Sequence, residues 1–133
     1  MQLNLADLLR AELTNYDLEV RLAESKIAYL RAIMDRCKGS TNMKQKRRFV
    51  YAKLGKEAWE AFLDDLLKAK ESLEQGIDTV LRAYPETHRR IFWECLLRER
   101  SDEDVAAELG MTAEALARIK GKLNRDLHTL YRP

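Results

Sequence analysis

Proline and glycine are scarce. Two prolines and five glycines in 133 residues leave little room for long loops or repeated hairpins, which disfavours β architecture and predicts an all-α chain. No apolar run approaches the roughly 20 residues that span a bilayer, and the N-terminus lacks the basic-then-apolar pattern of a signal peptide. A cytoplasmic protein with no membrane partner is expected. Cys37 and Cys95 are isolated, and neither they nor His88 and His128 have metal-ligand spacing. They read as buried or incidental side chains. A Gly-rich phosphate loop, an HExxH-type metal motif and a nucleophile motif are all missing, and Asp64-Asp65 reads as a solvated helix face. No enzyme, cofactor or metal is expected.

What is present is charge and helical periodicity. With 46% hydrophobic and 35% charged residues the composition is globular, and the length suits one domain, or one small domain plus an extended helical part. The formal net charge of +2 conceals a division along the chain. Residues 36–56 carry eight basic and no acidic side chains, whereas 57–83 carry three basic against seven acidic. The basic segment has a local field far above the net charge, which makes it a candidate phosphate-binding site.

From Ala6 to Cys37 a heptad seam runs through Leu9, Leu13, Tyr16, Val20, Ala23, Ile27, Leu30 and Met34. Leu5, Leu8, Leu18 and Leu22 widen it, and Lys38-Gly39-Ser40 ends it. Lys38 to Arg48 reads as a polar, basic connector. Phe49–Leu54 has strand-like composition and is expected as a helix turn or docked extended segment, with Gly55 setting it apart, so the connector extends over 38–56. A second long helix is expected from Lys56 to Ala83, with Trp59, Leu63, Leu66, Leu73, Ile77 and Val80 at helical spacing and Phe62, Leu67 and Leu81 beside them. Trp59 and Trp93 read as core. Tyr84-Pro85 marks a boundary, since Pro suits a first helical turn and disfavours continuation of the preceding helix. This gives a long-helix region over 1–83 and a compact domain over 84–133.

The last third carries the sharpest pattern. Ile91, Phe92, Cys95 and Leu96 give the first helix after Pro85 an apolar face. Ser101 is an N-cap candidate followed by Asp102, Glu103 and Asp104, where the helix dipole favours negative charge. Val105, Ala106 and Leu109 form an apolar face, Gly110 suits a left-handed helix end, and Thr112 is a second N-cap candidate. A helix from Ala113 to about Tyr131 then aligns Leu116, Ile119, Leu123, Leu127 and Leu130. Two helices across a short turn make a helix-turn-helix.

From Tyr84 to Leu130 the order of Pro-Glu, an aliphatic helix, a short acidic helix beginning at Ser, Leu-Gly, and a last helix rich in basic residues and Leu resembles region 4 of bacterial sigma factors. Two helical segments with a basic Gly-Ser-Thr-Asn connector ahead of such a domain also resemble the ArpU and RinA groups of phage transcriptional regulators. The resemblance implies a long helical hairpin or coiled coil followed by a three-helix DNA-binding domain. It also implies a protein that binds promoter-proximal double-stranded DNA to activate late phage genes, with host RNA polymerase as a further partner; a homodimer is expected from the heptad seam, which lets two modest recognition helices read two half-sites. Carried over by position, the DNA-facing surface is Thr112, Ala113, Glu114, Ala117, Arg118, Gly121, Lys122 and Arg125. Ala113, Ala115 and Ala117 stand where such domains often have polar contacts. Base reading then rests on Glu114, which can accept from cytosine, and Arg118, which can pair with guanine, with Lys122 and Arg125 as phosphate contacts.

Several alternatives stay open on sequence. The heptad seam can pack within one chain or between two. Lys44, Lys46, Arg47 and Arg48 can hold phosphate or form a solvated loop. Arg89 and Arg90 can contact phosphate or pair with Glu86 or a neighbouring acidic helix. A polymerase-binding or other protein-binding adaptor and a small-terminase-like packaging oligomer are the rival functions.

Overall fold

The computed structural model describes residues 4–131. Among these the chain is all-helical. Two long helices, α1 (Leu5–Cys37) and α2 (Met43–Leu81), precede α3 (Glu86–Ile91), which continues as a π-helical turn over Phe92–Leu97, and then α4 (Asp102–Leu109) and α5 (Ala113–Tyr131). No helix among the described residues is long and apolar enough to cross a membrane.

Packing divides the chain into two compact units. One is Asn15–Leu73; the other joins the start of α1, up to Thr14, to the chain from Glu74 onward. The division therefore falls inside both long helices, whereas the helix break itself comes at Leu81 to Pro85.

Within Asn15–Leu73, α1 and α2 lie side by side and antiparallel. The Cys37 thiol donates to Gln45 Oε1 at 2.8 Å at one end, and Lys70 Nζ pairs with Asp17 at 2.8 Å at the other. The seam positions Ala23 and Ile27 are buried in α1, as are Ala52 and Leu66 in α2. The heptad seam of this unit is thus covered by α2 of its own chain. Leu18 and Leu22 do not widen the buried stripe but stand exposed.

The connector is shorter than the sequence suggests. Gly39 takes φ 73° after α1, and Asn42 Oδ1 then accepts from the amides of Lys44 (2.8 Å) and Gln45 (3.4 Å). That cap satisfies donors a new helix would otherwise leave unpaired, so α2 begins at Met43 and Lys44, Lys46, Arg47 and Arg48 are helical. Phe49–Leu54 is helix rather than an extended segment, and Gly55 lies inside α2 rather than ending anything. A Cβ at Gly55 would meet Leu30 Cδ1 at 3.3 Å; this glycine admits a close approach of α1. At its other end α2 stops at Leu81, and it is Leu81 that is buried, with Val80 exposed.

The second unit has a core of large side chains. Leu81, Ile91, Phe92, Val105, Leu116 and Leu123 are each 1% exposed or less. The π-helical turn places Cys95, Leu96 and Leu97, three consecutive residues, in this core. Its Leu96 carbonyl accepts from Arg10 Nε (2.9 Å) and Nη2 (2.7 Å), so the start of α1 satisfies the end of the α3 segment. The tryptophans are less buried than core positions. Trp93 is half-buried, donates from Nε1 to Asp78 at 2.8 Å and lies 5.8 Å beneath the Arg98 guanidinium. Trp59 is also half-buried, edge-on to Phe62.

Candidate functional site

The candidate surface is built by α4, the turn after it, and α5. Ser101 sits at φ −64°, ψ 143°, and its Oγ accepts from the Asp104 amide at 3.2 Å. Asp102, Glu103 and Asp104 occupy the first turn, where the helix dipole favours them. Gly110 ends α4 in the left-handed conformation at φ 68°, its amide directed to the Ala106 and Ala107 carbonyls. A residue with a side chain is strained there. Two residues later Thr112 Oγ1 accepts from the Ala115 amide at 3.1 Å, and α5 begins. Both N-caps and the left-handed end stand where the sequence placed them.

Burial fixes which side of α5 faces out. Leu116 and Leu123 are fully buried and Leu127 nearly so, and Ile119 is half-buried; the side chain of Leu130 lies outside the described residues. Thr112, Glu114, Ala117, Arg118, Lys122 and Arg125 are exposed, and Ala113 and Gly121 half-buried. From Glu114 to Arg125 the exposed positions recur at helical spacing, on the side opposite the buried leucines. A Cβ at Gly121 would meet only Arg125, at 3.6 Å, so the glycine leaves a shallow gap in an otherwise side-chain-covered face.

Charge on this unit is sorted by ion pairs. Lys120 is held to Asp102 at 3.0 Å, which ties α5 to the start of α4 and removes one basic group from the outer face. Arg100 donates to both carboxylate oxygens of Glu108 and to Glu94 at 3.2 Å. The hydrogen bond from Arg100 holds the Glu108 carboxyl below its ordinary value, and Arg90 adds a smaller attraction. Arg90 is exposed and Arg89 half-buried on α3. Burial pushes the Cys95 thiol up, with Asp102 adding to the shift. That favours an unreactive neutral thiol over a nucleophile.

The candidate contacts are not all in one place. Lys44, Lys46, Arg47 and Arg48 are exposed at the start of α2, in the other unit. Sequence reasoning missed Arg10, Arg100 and the Lys120–Asp102 pair, because each acts through a residue distant along the chain or beyond a turn. Among the described residues no group of three His, Cys, Asp or Glu side chains is placed to hold a metal ion. The chain matches no protein-family model, no curated protein and no solved structure.

Proposed function

We propose that the chain is a phage or prophage transcriptional regulator that binds promoter-proximal double-stranded DNA through α4 and α5 as a helix-turn-helix of the sigma-region-4 kind. In this reading α1 and α2 form a long helical hairpin that assembles a homodimer, and host RNA polymerase is a further partner. The observation that carries the reading is the outer face of α5. It is framed by two N-caps and a left-handed Gly110, exposes Glu114, Ala117, Arg118, Lys122 and Arg125, and turns its leucines inward.

The chemistry of that face defines its task. Arg118 offers a bidentate donor to guanine O6 and N7, Glu114 an acceptor for a cytosine amino group, and Ala117 an apolar contact for a thymine methyl. Lys122 and Arg125 lie about one and two turns beyond Arg118 and suit phosphate oxygens. The Gly121 gap lets a backbone approach more closely than a side chain would. So short a list of base-reading groups makes two copies on two half-sites the economical solution.

Selection from a random duplex library at near-physiological salt tests the proposal. The expected result is an enriched motif of two half-sites. Recovery of no motif, with binding that disappears as salt rises, would overturn sequence-specific regulation and favour an adaptor that binds polymerase or a packaging oligomer of ring size.

A further inference from the structure

On α2, Val50, Tyr51, Leu54, Ala58, Ala61 and Phe62 fall within an arc of about 120° at 3.6 residues per turn. The four large ones are between 45% and 72% exposed, and the arc lies away from Ala52, Leu63 and Leu66, which face α1. A contiguous exposed apolar stripe of this kind marks an interaction surface.

Charge along the same helix says what covers it. From Met43 to Lys56 α2 has six basic and no acidic side chains, and from Glu57 to Leu81 seven acidic and two basic. Both halves oppose the helix dipole, which favours acidic groups at the N-terminus and basic groups at the C-terminus. The chain's own α1 neutralises them only in part, through an ion pair of Arg31 with Glu60 at 3.9 Å. Elsewhere its charges are mixed, with Asp35 and Arg36 beside the basic half and Asp17, Glu19, Arg21, Glu24 and Lys26 beside the acidic half. What complements a helix that is basic in one half and acidic in the other is the same helix reversed.

We propose that a second copy of the chain covers this stripe, its α2 antiparallel to the first about a two-fold axis level with Lys56. At that register Arg47 stands opposite Asp65 of the second copy. Val50 meets Ala61, Tyr51 meets Phe62, and Leu54 meets Ala58. Each contact occurs twice, as a two-fold interface requires. Neither Arg47 nor Asp65 has an ion-pair partner within the chain among the described residues. The proposal deepens the dimer in the functional reading, rests on that part of it alone, and does not depend on DNA recognition. It also reassigns Arg47 from phosphate to the carboxylate of the partner.

Sedimentation equilibrium of the full chain across concentration tests it, with helicity recorded on every variant. The wild-type chain is expected to approach twice 15.5 kDa. Arg47→Asp or Asp65→Arg alone should weaken association by roughly tenfold or more, because each reversal sets like charges together at two places. The double variant Arg47→Asp with Asp65→Arg should restore most of it, which only facing residues do. Leu54→Glu should abolish the dimer while leaving the helix content of the monomer. A chain that remains monomeric, a dimer indifferent to these changes, or a double variant without rescue would each overturn the interface. So would a monomer whose stripe instead binds vesicles containing phosphatidylserine. DNA affinity measured in parallel separates the two proposals. A wild-type monomer that still selects a DNA motif overturns the interface and leaves the DNA reading standing, whereas a dimer that selects no motif does the reverse.

Discussion

The two units solve the burial problem differently. The one containing α3, α4 and α5 draws on five helical segments and removes Phe92, Leu81, Ile91, Leu116 and Leu123 almost wholly from water; the one over Asn15–Leu73 has two helices, and its most completely buried residues are Ala23, Ala52 and Cys37. Of the ten large apolar side chains that stand exposed among the described residues, nine lie in the two-helix unit, Val80 being the exception. Two helices share one seam and leave their outer faces to solvent. A closed core requires further elements, which the first unit finds within the chain and the second lacks.

The sharpest way to break this comparison is truncation on each side of it. Phe92→Ala should cost about 3–5 kcal/mol of stability, the range for deleting a fully buried aromatic side chain. Leu54→Ala, at a position 58% exposed, should change monomer stability by no more than about 0.5 kcal/mol. Chemical denaturation at low protein concentration measures both. A comparable loss at Leu54 would mean that the stripe on α2 is already covered within the monomer.

Next in size are two arginines of opposite task in the compact unit. Arg118 is exposed on α5. Arg118→Ala should weaken binding to a selected DNA site by about 1–3 kcal/mol, the worth of a good bidentate base contact, while non-specific binding changes less and denaturation stays where it was. Arg10 spans the Leu96 carbonyl, Asp7 and Glu99, at 2.7 to 3.2 Å. Arg10→Ala should cost about 1–3 kcal/mol of stability through the loss of charge-assisted hydrogen bonds, with little effect on DNA beyond the folded fraction. Titration against specific and random duplexes, beside a denaturation curve for each variant, separates the two. Equal effects on specific and random DNA for Arg118 would remove its base-reading role.

Local signals explain which parts were legible beforehand. Ser101, Gly110 and Thr112 act on amides and carbonyls within a few residues of themselves, so their positions in the sequence announce both helices around the turn. Ser101→Ala should accordingly cost about 1 kcal/mol, the usual worth of an N-cap. Gly55 was misleading for the opposite reason: its signal as a helix breaker is local, whereas its role, the approach of Leu30, comes from another helix. Asn42, whose cap marks the true start of α2, stands beside a conspicuous basic run that masks its signal. Arg10 could not be read at all, because its acceptor lies 86 residues away. The π-helical turn that buries Cys95, Leu96 and Leu97 together also has no signature in α-helical spacing. The outward face of α5 was legible since apolar periodicity assigns the inward one; what that face binds depends on chemistry outside the chain.

The smallest effect compares one carboxylate from each unit. A hydrogen bond from Lys56 lowers Glu60, and one from Arg100 lowers Glu108, both below the ordinary 4.5. A carboxyl depressed in the folded state adds stability that is fully present above its unfolded value and is lost as pH falls through its folded value. Both units should therefore lose a little stability on acidification, below the ordinary carboxylate range. The partners differ in kind: Lys56 Nζ makes one contact with Glu60, at 2.7 Å, whereas Arg100 grips Glu108 through two donors and holds Glu94 as well. Side-chain carboxyl shifts followed by NMR across acid pH should show Arg100→Gln returning Glu108 towards its ordinary value with Glu60 unmoved, and Lys56→Gln doing the reverse. Movement of both carboxyls in either variant would mean that the units are coupled through charge, and the separation of the two packing solutions would then not extend to their electrostatics.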